Sequence, residues 1–294
     1  MTDAQSLTRE LGGKWHRYYG SAPCPVCQPE RGKGQNALTL HDGRNGRLLL
    51  DCKKSQCAFL DVLSAAGLRP GDYTPPDAAT IAQRKAQAHA EAVKRGEQAK
   101  RLWQEAVPIT GTLAEAYLRG RGITCDLPPS LRFHPDCWHG PTAKRYPAMV
   151  AAVQGVRLPA VHRTYLRPDG TGKADINPAK AMLGSTQGGA VWLSEGAGLL
   201  VVAEGIETAL SLSSGLLRTP AMIWAALSTS GISGLHLPDD PGRLTIACDG
   251  DAAGRSAAHD LAERADALGW QVSLLPAPEG RDWNDILTMK GEIA

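Results

Sequence analysis

The chain has 294 residues, 43% of them apolar, which is enough for two or three domains with real cores, and its 32 basic and 30 acidic side chains leave a formal charge of only +2. No apolar run reaches the length of a membrane span, and Met1 to Ser6 lack the basic and apolar regions of a signal peptide. A cytoplasmic protein with reduced thiols is therefore expected.

The first predicted unit covers residues 1–69. Cys24-Pro-Val-Cys27 and Cys52-Lys-Lys-Ser-Gln-Cys57 are separated by twenty-four residues. Two closely spaced thiol pairs can each close on a metal from a turn, and Zn²⁺ takes four such soft ligands tetrahedrally. Between the pairs, Ala37–Leu40 and Arg47–Leu50 read as short strands around the turn Asp42 to Gly46, which makes the unit a zinc ribbon. His41 is the one residue that could replace a thiol. Arg31, Lys33, Arg44, Arg47, Lys53 and Lys54 give the ribbon a basic character, and Leu60 to Leu68 reads as a short helix closed by Gly67.

Residues 70–110 follow as a linker, Pro70 to Pro76, and an exposed helix from Asp77 to Ala106 rich in Ala, Gln, Glu, Lys and Arg. Residues 111–197 form a basic, mixed α+β subdomain. It opens with a helix from Thr112 to Arg121 and continues with short strands at Met149–Val153, Val161–Leu166 and Ala190–Leu193, with a hairpin turn at Pro168-Asp-Gly170. Arg163, Lys173, Lys180, Lys144 and Arg145 belong to it.

From residue 198 to 294 the period changes to alternating strand and helix. Strands are predicted at Leu199–Ala203, Ala221–Ala226, Arg243–Cys248 and Gln271–Leu275, with helices at Glu207–Ser214 and Ala253–Leu268. Short apolar runs without alternation suit a parallel sheet covered on both faces, so the fold class is α/β. Ligands of such sheets bind outside the carboxyl ends of the strands. There Glu204 follows one strand and Asp249-Gly-Asp251 another, while Asp282 lies in Arg281-Asp-Trp-Asn-Asp285. Four carboxylates on one rim read as a divalent-metal site. Asp and Gly also make ordinary strand-to-helix turns, but their recurrence at two strand ends favours chemistry. Basic residues before and carboxylates after suit a polyanion held beside a metal.

Glu204-Gly-Ile-Glu-Thr-Ala209, Cys248-Asp-Gly-Asp-Ala-Ala-Gly254 and Gly280-Arg-Asp-Trp-Asn-Asp285 resemble the successive motifs of the Toprim domain, shared by bacterial-type primases, topoisomerases, RecR-like repair proteins and some nucleases. The first is similar to the signature of primases from plasmids and satellite phages, with Ile206 where those have Tyr. His162-Arg-Thr-Tyr165, Lys173 and Ala179-Lys-Ala-Met-Leu-Gly184 resemble the region before Toprim in the same enzymes. Those primases usually continue into a helicase domain, whereas this sequence contains no phosphate loop ending in Gly-Lys-Ser/Thr.

The resemblance implies a DNA primase that joins ribonucleotides from nucleoside triphosphates on a single-stranded DNA template; either a separate replicative helicase works with it or only the priming part is represented. Asp249, Asp251 and Asp282 are then ligands of catalytic Mg²⁺ or Mn²⁺. Glu204 is a general base or acid, with metal ligation as the alternative, and Asp285 and Glu207 are lesser candidates. Arg163, Lys173, Lys180, Lys144 and Arg145 are expected to meet triphosphate or template. In the ribbon, Arg47, Lys53 and Lys54 are expected near phosphates, with Trp15 or Tyr18 either stacking on bases or packing on the ribbon. Trp283 anchors its loop. A Toprim nuclease or topoisomerase-like enzyme, and a non-catalytic RecR-like scaffold, are the other classes in play.

Overall fold

The computed structural model describes residues 3–16, 18–30, 36–43, 46–196 and 198–293, the last three as backbone. Arg31, Lys33 and Arg44, named above for their charge, lie outside the described residues. The chain divides into two compact units, residues 1–90 and 91–294.

In the first unit, helix α1 (Ala4–Glu10) begins at Asp3, whose carboxylate accepts the Ser6 N–H at 2.7 Å as an N-cap. Four strands follow: β1 (Lys14–Trp15), β2 (Gly20–Ala22), β3 (Leu38–Asp42) and β4 (Leu48–Cys52). They pair in that order, all antiparallel. The β3–β4 hairpin aligns Leu38 with Cys52, so the second cysteine pair begins where the strand ends. Helix α2 (Phe59–Ala65) closes the small core of Leu7, Leu38, Leu40, Val62 and Leu63, which also holds Cys24 and Cys52. The hairpin is the one expected from the sequence, while β1, β2 and α1 are additional elements. Two- and three-residue strands carry no readable alternation.

The long helix α3 (Ala78–Glu105) contributes to both units. Within the first, Arg84 pairs with Asp3 and, at 3.4 Å, with Asp42, and the Tyr73 hydroxyl donates to Asp42 at 2.9 Å.

The second unit holds two five-stranded sheets. One is antiparallel, ordered β5 (Val107–Pro108), β6 (Leu131–His139), β7 (Lys144–Val153), β8 (Ala160–Tyr165), β9 (Lys180–Leu183), with helix α4 (Leu113–Gly120) inserted after β5. The other comprises β10 (Val191–Ser194), β11 (Leu199–Ala203), β12 (Met222–Ala225), β13 (Arg243–Ala247) and β14 (Gln271–Leu274), in the order β10-β12-β11-β13-β14. Its connections carry α5 (Ile206–Ser211), α6 (Thr229–Ser233) and α7 (Ala252–Ala267), and α8 (Trp283–Ile293) ends the chain. The pairings β11–β12, β11–β13 and β13–β14 are parallel, as expected, while β10 is an antiparallel edge.

Central strands explain the near-continuous apolar runs. Val201, Ala203, Ile223 and Ala225 face one cluster, while Leu200, Val202, Trp224 and Ile246 face another. Strand β14 departs from the expected burial, because as the far edge it leaves Gln271, Ser273 and Leu274 exposed. The first of these clusters also takes in Tyr117, Leu131 and Met149, so the antiparallel and parallel sheets share a core. No described helix is long and apolar enough to cross a membrane.

Candidate active site and metal centre

Parallel strands β11 and β13 lie in register, Ala203 beside Ala247, so their carboxyl ends deliver Glu204 and Asp249 to neighbouring points on one rim. The turn after β13 is then fixed to the loop before α8. Gly250 donates to the Arg281 carbonyl at 2.8 Å and accepts from Gly280 at 3.0 Å. Glycine is required at this contact, since a Cβ on Gly250 would lie 1.9 Å from the Pro278 carbonyl oxygen. That loop supplies Asp282, and the Trp283 indole N–H holds it down by donating to the Leu275 carbonyl at 3.2 Å. Gly250→Ala is expected to lower stability by about 2 kcal/mol or more, because backbone must move to admit the methyl. Thermal melting of the variant measures it, and an unchanged melting temperature would contradict the contact.

The carboxylates differ in setting. Asp251 is the N-cap of α7, accepting the Gly254 N–H at 2.6 Å. Asp282 and Asp285 cap each other reciprocally, at 2.8 and 3.1 Å, as a capping box does. Asp249 has no such satisfaction, since its buried Oδ1 lacks a hydrogen-bond partner. Burial, followed by the charges of Glu204, Asp282 and Asp251, pushes its pKa up to about 7, against the pull of Lys180. Burial and then Asp251 likewise raise Glu204, again opposed by Lys180. Of these carboxylates, Asp249 alone keeps a buried, unpartnered oxygen, and a divalent cation would relieve the repulsion from Glu204, Asp282 and Asp251 that raises it.

The sign of the linkage follows. An Asp whose folded pKa stands above its ordinary 3.8 keeps its full stability below that value and loses it as pH rises toward about 7. Metal-free protein is therefore expected to melt at lower temperature at pH 8 than at pH 5 through this group, and Asp249→Asn should flatten that part of the profile. A pH–melting series on both proteins checks it.

Behind the rim, Glu207 in the first turn of α5 is buried. Its carboxylate accepts the Tyr117 hydroxyl at 2.8 Å and the Lys180 ammonium at 2.9 Å, and Lys173 stands at 3.8 Å. Burial alone would raise its pKa, but the two lysines hold it well below the usual carboxylate range. Burial and the lysines also push the neighbouring His162 down to about 4, which leaves it neutral with its Nδ1 unpartnered. Lys173 and Lys180, expected to meet phosphate, are thus gathered beside the rim by a carboxylate. Tyr117 and His162 were not singled out for any role in the sequence.

The other basic candidates are spread more widely. Arg163 donates to the carbonyls of Trp138 at 3.2 Å and Met182 at 3.3 Å. Lys144 and Arg145 open strand β7 in exposed positions, and Arg145 bonds the Asp136 carbonyl at 3.0 Å. In the first unit Arg47, Lys53 and Lys54 are exposed, with Lys53 paired to Asp51. Trp15 and Tyr18 line a cavity of about 530 Å³ with His41, Pro75 and Lys85.

The four cysteines meet. The Sγ atoms of Cys24, Cys27, Cys52 and Cys57 all lie within 4.8 Å of one another. Burial opposes ionisation of Cys52, but backbone N–H groups of Ser55, Cys57 and Lys54 outweigh it and lower its pKa to about 6. A thiolate cradled by amides is the form a metal requires. His41 is not among the four.

Residues 199–292 match the family model of the Toprim domain. The C-terminal part of this chain is a Toprim domain. Residues 93–193 match a model described as a domain of unknown function (DUF7146). No curated protein matches the sequence. Among solved structures, the chain is similar to a DNA primase domain from Pseudomonas aeruginosa, at 20% identity over 67% of this chain and 75% of that one, with a TM-score of 0.41. It is also similar to the zinc-binding and RNA polymerase domains of the Aquifex aeolicus primase, at 15% identity over 100% and 84% of the two chains and a TM-score of 0.44. The RNA polymerase domain of the Mycobacterium tuberculosis primase gives 16%, with 69% and 81% covered and a TM-score of 0.41. The matched span takes in β11 to β14 of the second sheet and the residues Glu204, Asp249, Asp251 and Asp282.

Proposed function

We propose that the protein is a DNA primase, forming short primers on single-stranded DNA from nucleoside triphosphates by nucleotidyl transfer. The observation that carries this reading is the crowding of Asp249 by Glu204, Asp251 and Asp282 on a Toprim rim. The four-cysteine centre in the first unit and the likeness of the Glu204 motif to mobile-element primases support it.

Asp249, Asp251 and Asp282 would hold Mg²⁺ or Mn²⁺, which when bound supplies positive charge against the anion developing in phosphoryl transfer. The chain's own groups do the rest. Glu204, its proton affinity raised by burial, accepts the proton of the attacking 3′-hydroxyl. The 3′-oxygen bonds to the α-phosphorus, and the bond to the leaving pyrophosphate breaks. Lys180 and Lys173 meet the negative triphosphate. Cys24, Cys27, Cys52 and Cys57 hold Zn²⁺ structurally, and the ribbon's exposed Arg47, Lys53 and Lys54 contact the template phosphates.

The test is incorporation of labelled ribonucleotides on varied single-stranded templates with Mg²⁺ or Mn²⁺. Template-dependent dinucleotides are expected. Cleavage of labelled DNA without added nucleotides, and no incorporation, would replace this reading with the Toprim nuclease.

A further inference from the structure

Glu207 lies too deep to touch a nucleotide, with a side chain only 5% exposed, yet it is ionised and ion-paired with two lysines from the neighbouring subdomain. An ion cluster of one buried carboxylate and two part-exposed ammonium groups contributes little net stability compared with well-packed apolar groups, so its presence calls for another role. The geometry supplies one. Glu207 follows Glu204 by three residues on the connection out of β11, and it holds the Lys180 ammonium at 2.9 Å. The same ammonium acts on both Glu204 and Asp249. Lys180 is therefore held by the buried carboxylate while its charge reaches the rim. Tyr117 fixes the other face of Glu207 at 2.8 Å, and Lys173 adds a second positive charge.

Two ammonium groups beside an acidic rim oppose any cation bound there unless their charge is directed elsewhere. We propose that Glu207 is a positioning residue for the rim: by binding Lys180 and Lys173 it fixes their place and cancels part of their charge, so that the carboxylates retain a divalent cation while the ammonium groups stay beside it for a polyphosphate. This rests on the rim being a divalent-cation site and not on the primer synthesis proposed above.

The test is Mn²⁺ binding to the full chain, read from the free-ion electron paramagnetic resonance signal at a pH where Asp249 is ionised, with Asp249→Asn identifying the rim site. Glu207→Gln is expected to weaken Mn²⁺ about tenfold, while Lys180→Met tightens it, and in the Lys180→Met background the Glu207→Gln loss shrinks markedly. A structural role alone would lower the melting temperature of Glu207→Gln and leave Mn²⁺ affinity unchanged, or give the same loss in both backgrounds. Either result overturns the proposal, as does failure of the wild type to bind Mn²⁺ at the rim. Should Glu207→Gln not fold, Lys180→Met decides alone, because unchanged Mn²⁺ affinity in it means the rim does not feel the ammonium. A protein that shows the coupling but makes no dinucleotide keeps this inference and loses the primase reading.

Discussion

Asp249→Asn is expected to abolish dinucleotide synthesis while leaving single-strand binding intact and raising the melting temperature of the metal-free protein. The three effects share one cause. Asp249 lies two residues past β13 with its Oδ1 buried and unpartnered, its pKa raised by three other carboxylates. Asn preserves shape but removes a negative oxygen ligand, and loss of a preorganised electrostatic group of this kind costs on the order of 3 kcal/mol in the transition state, about a hundredfold in rate or more. Without metal, the same carboxylate is held against its neighbours' repulsion, so its removal relieves the fold. Template affinity does not fall, since one source of phosphate repulsion disappears. Asp251→Asn should match the loss of synthesis without the gain in stability, because Asn retains the N-cap of α7 that Asp251 provides. Near-normal synthesis by both folded variants would remove the pair from the chemistry. Synthesis, single-strand binding and melting are measured on the same preparations.

The placement of local motifs was legible in the sequence. The two thiol pairs needed only spacing to declare themselves, and Glu204 and Asp249 needed only the apolar runs before them, because a parallel strand buried on both faces reads as an unbroken apolar stretch and its carboxyl end is where the chain turns. The Asp-Gly-Asp turn also announced its glycine, although its physical demand, the approach of the Pro278 carbonyl, is visible only once the loop before α8 is folded against it.

What the sequence hid depends on long-range pairing. Strand β6 carries Pro135 and a register shift between His134 and Cys137, which breaks the two-residue period that would have revealed it. The antiparallel placement of β10 at the sheet edge leaves no local mark. The Glu207 cluster is the clearest case, for its partners are drawn from α4, β9 and the loop before it, at positions 117, 173 and 180. Read locally, Glu207 is a first-turn carboxylate favoured by the helix dipole, and Lys173 and Lys180 are surface cations. Only the shared core of the two sheets brings them to one buried carboxylate.

Cys52→Ser is expected to have the largest effect on the first unit. Structural Zn²⁺ binding is itself folding free energy, on the order of 10 kcal/mol or more at neutral pH for small zinc modules, and this unit has little else of comparable size. Its core is six leucines, two alanines and one valine between a four-stranded sheet and two short helices, and Cys24 and Cys52 are part of it. Cys52 is also the thiol whose ionised form the backbone amides of Ser55, Cys57 and Lys54 favour, so serine removes the ligand best prepared for the metal. Zinc content should fall from one per chain toward zero, and the first unit should lose its cooperative melting and become open to proteolysis. The carboxylate rim lies in the second unit with a core of its own, so Mn²⁺ binding there should persist. Undiminished zinc stoichiometry in this variant would reject the four-cysteine site. Loss of zinc with template-dependent synthesis and template preference both unchanged would keep the site but remove the ribbon from template reading.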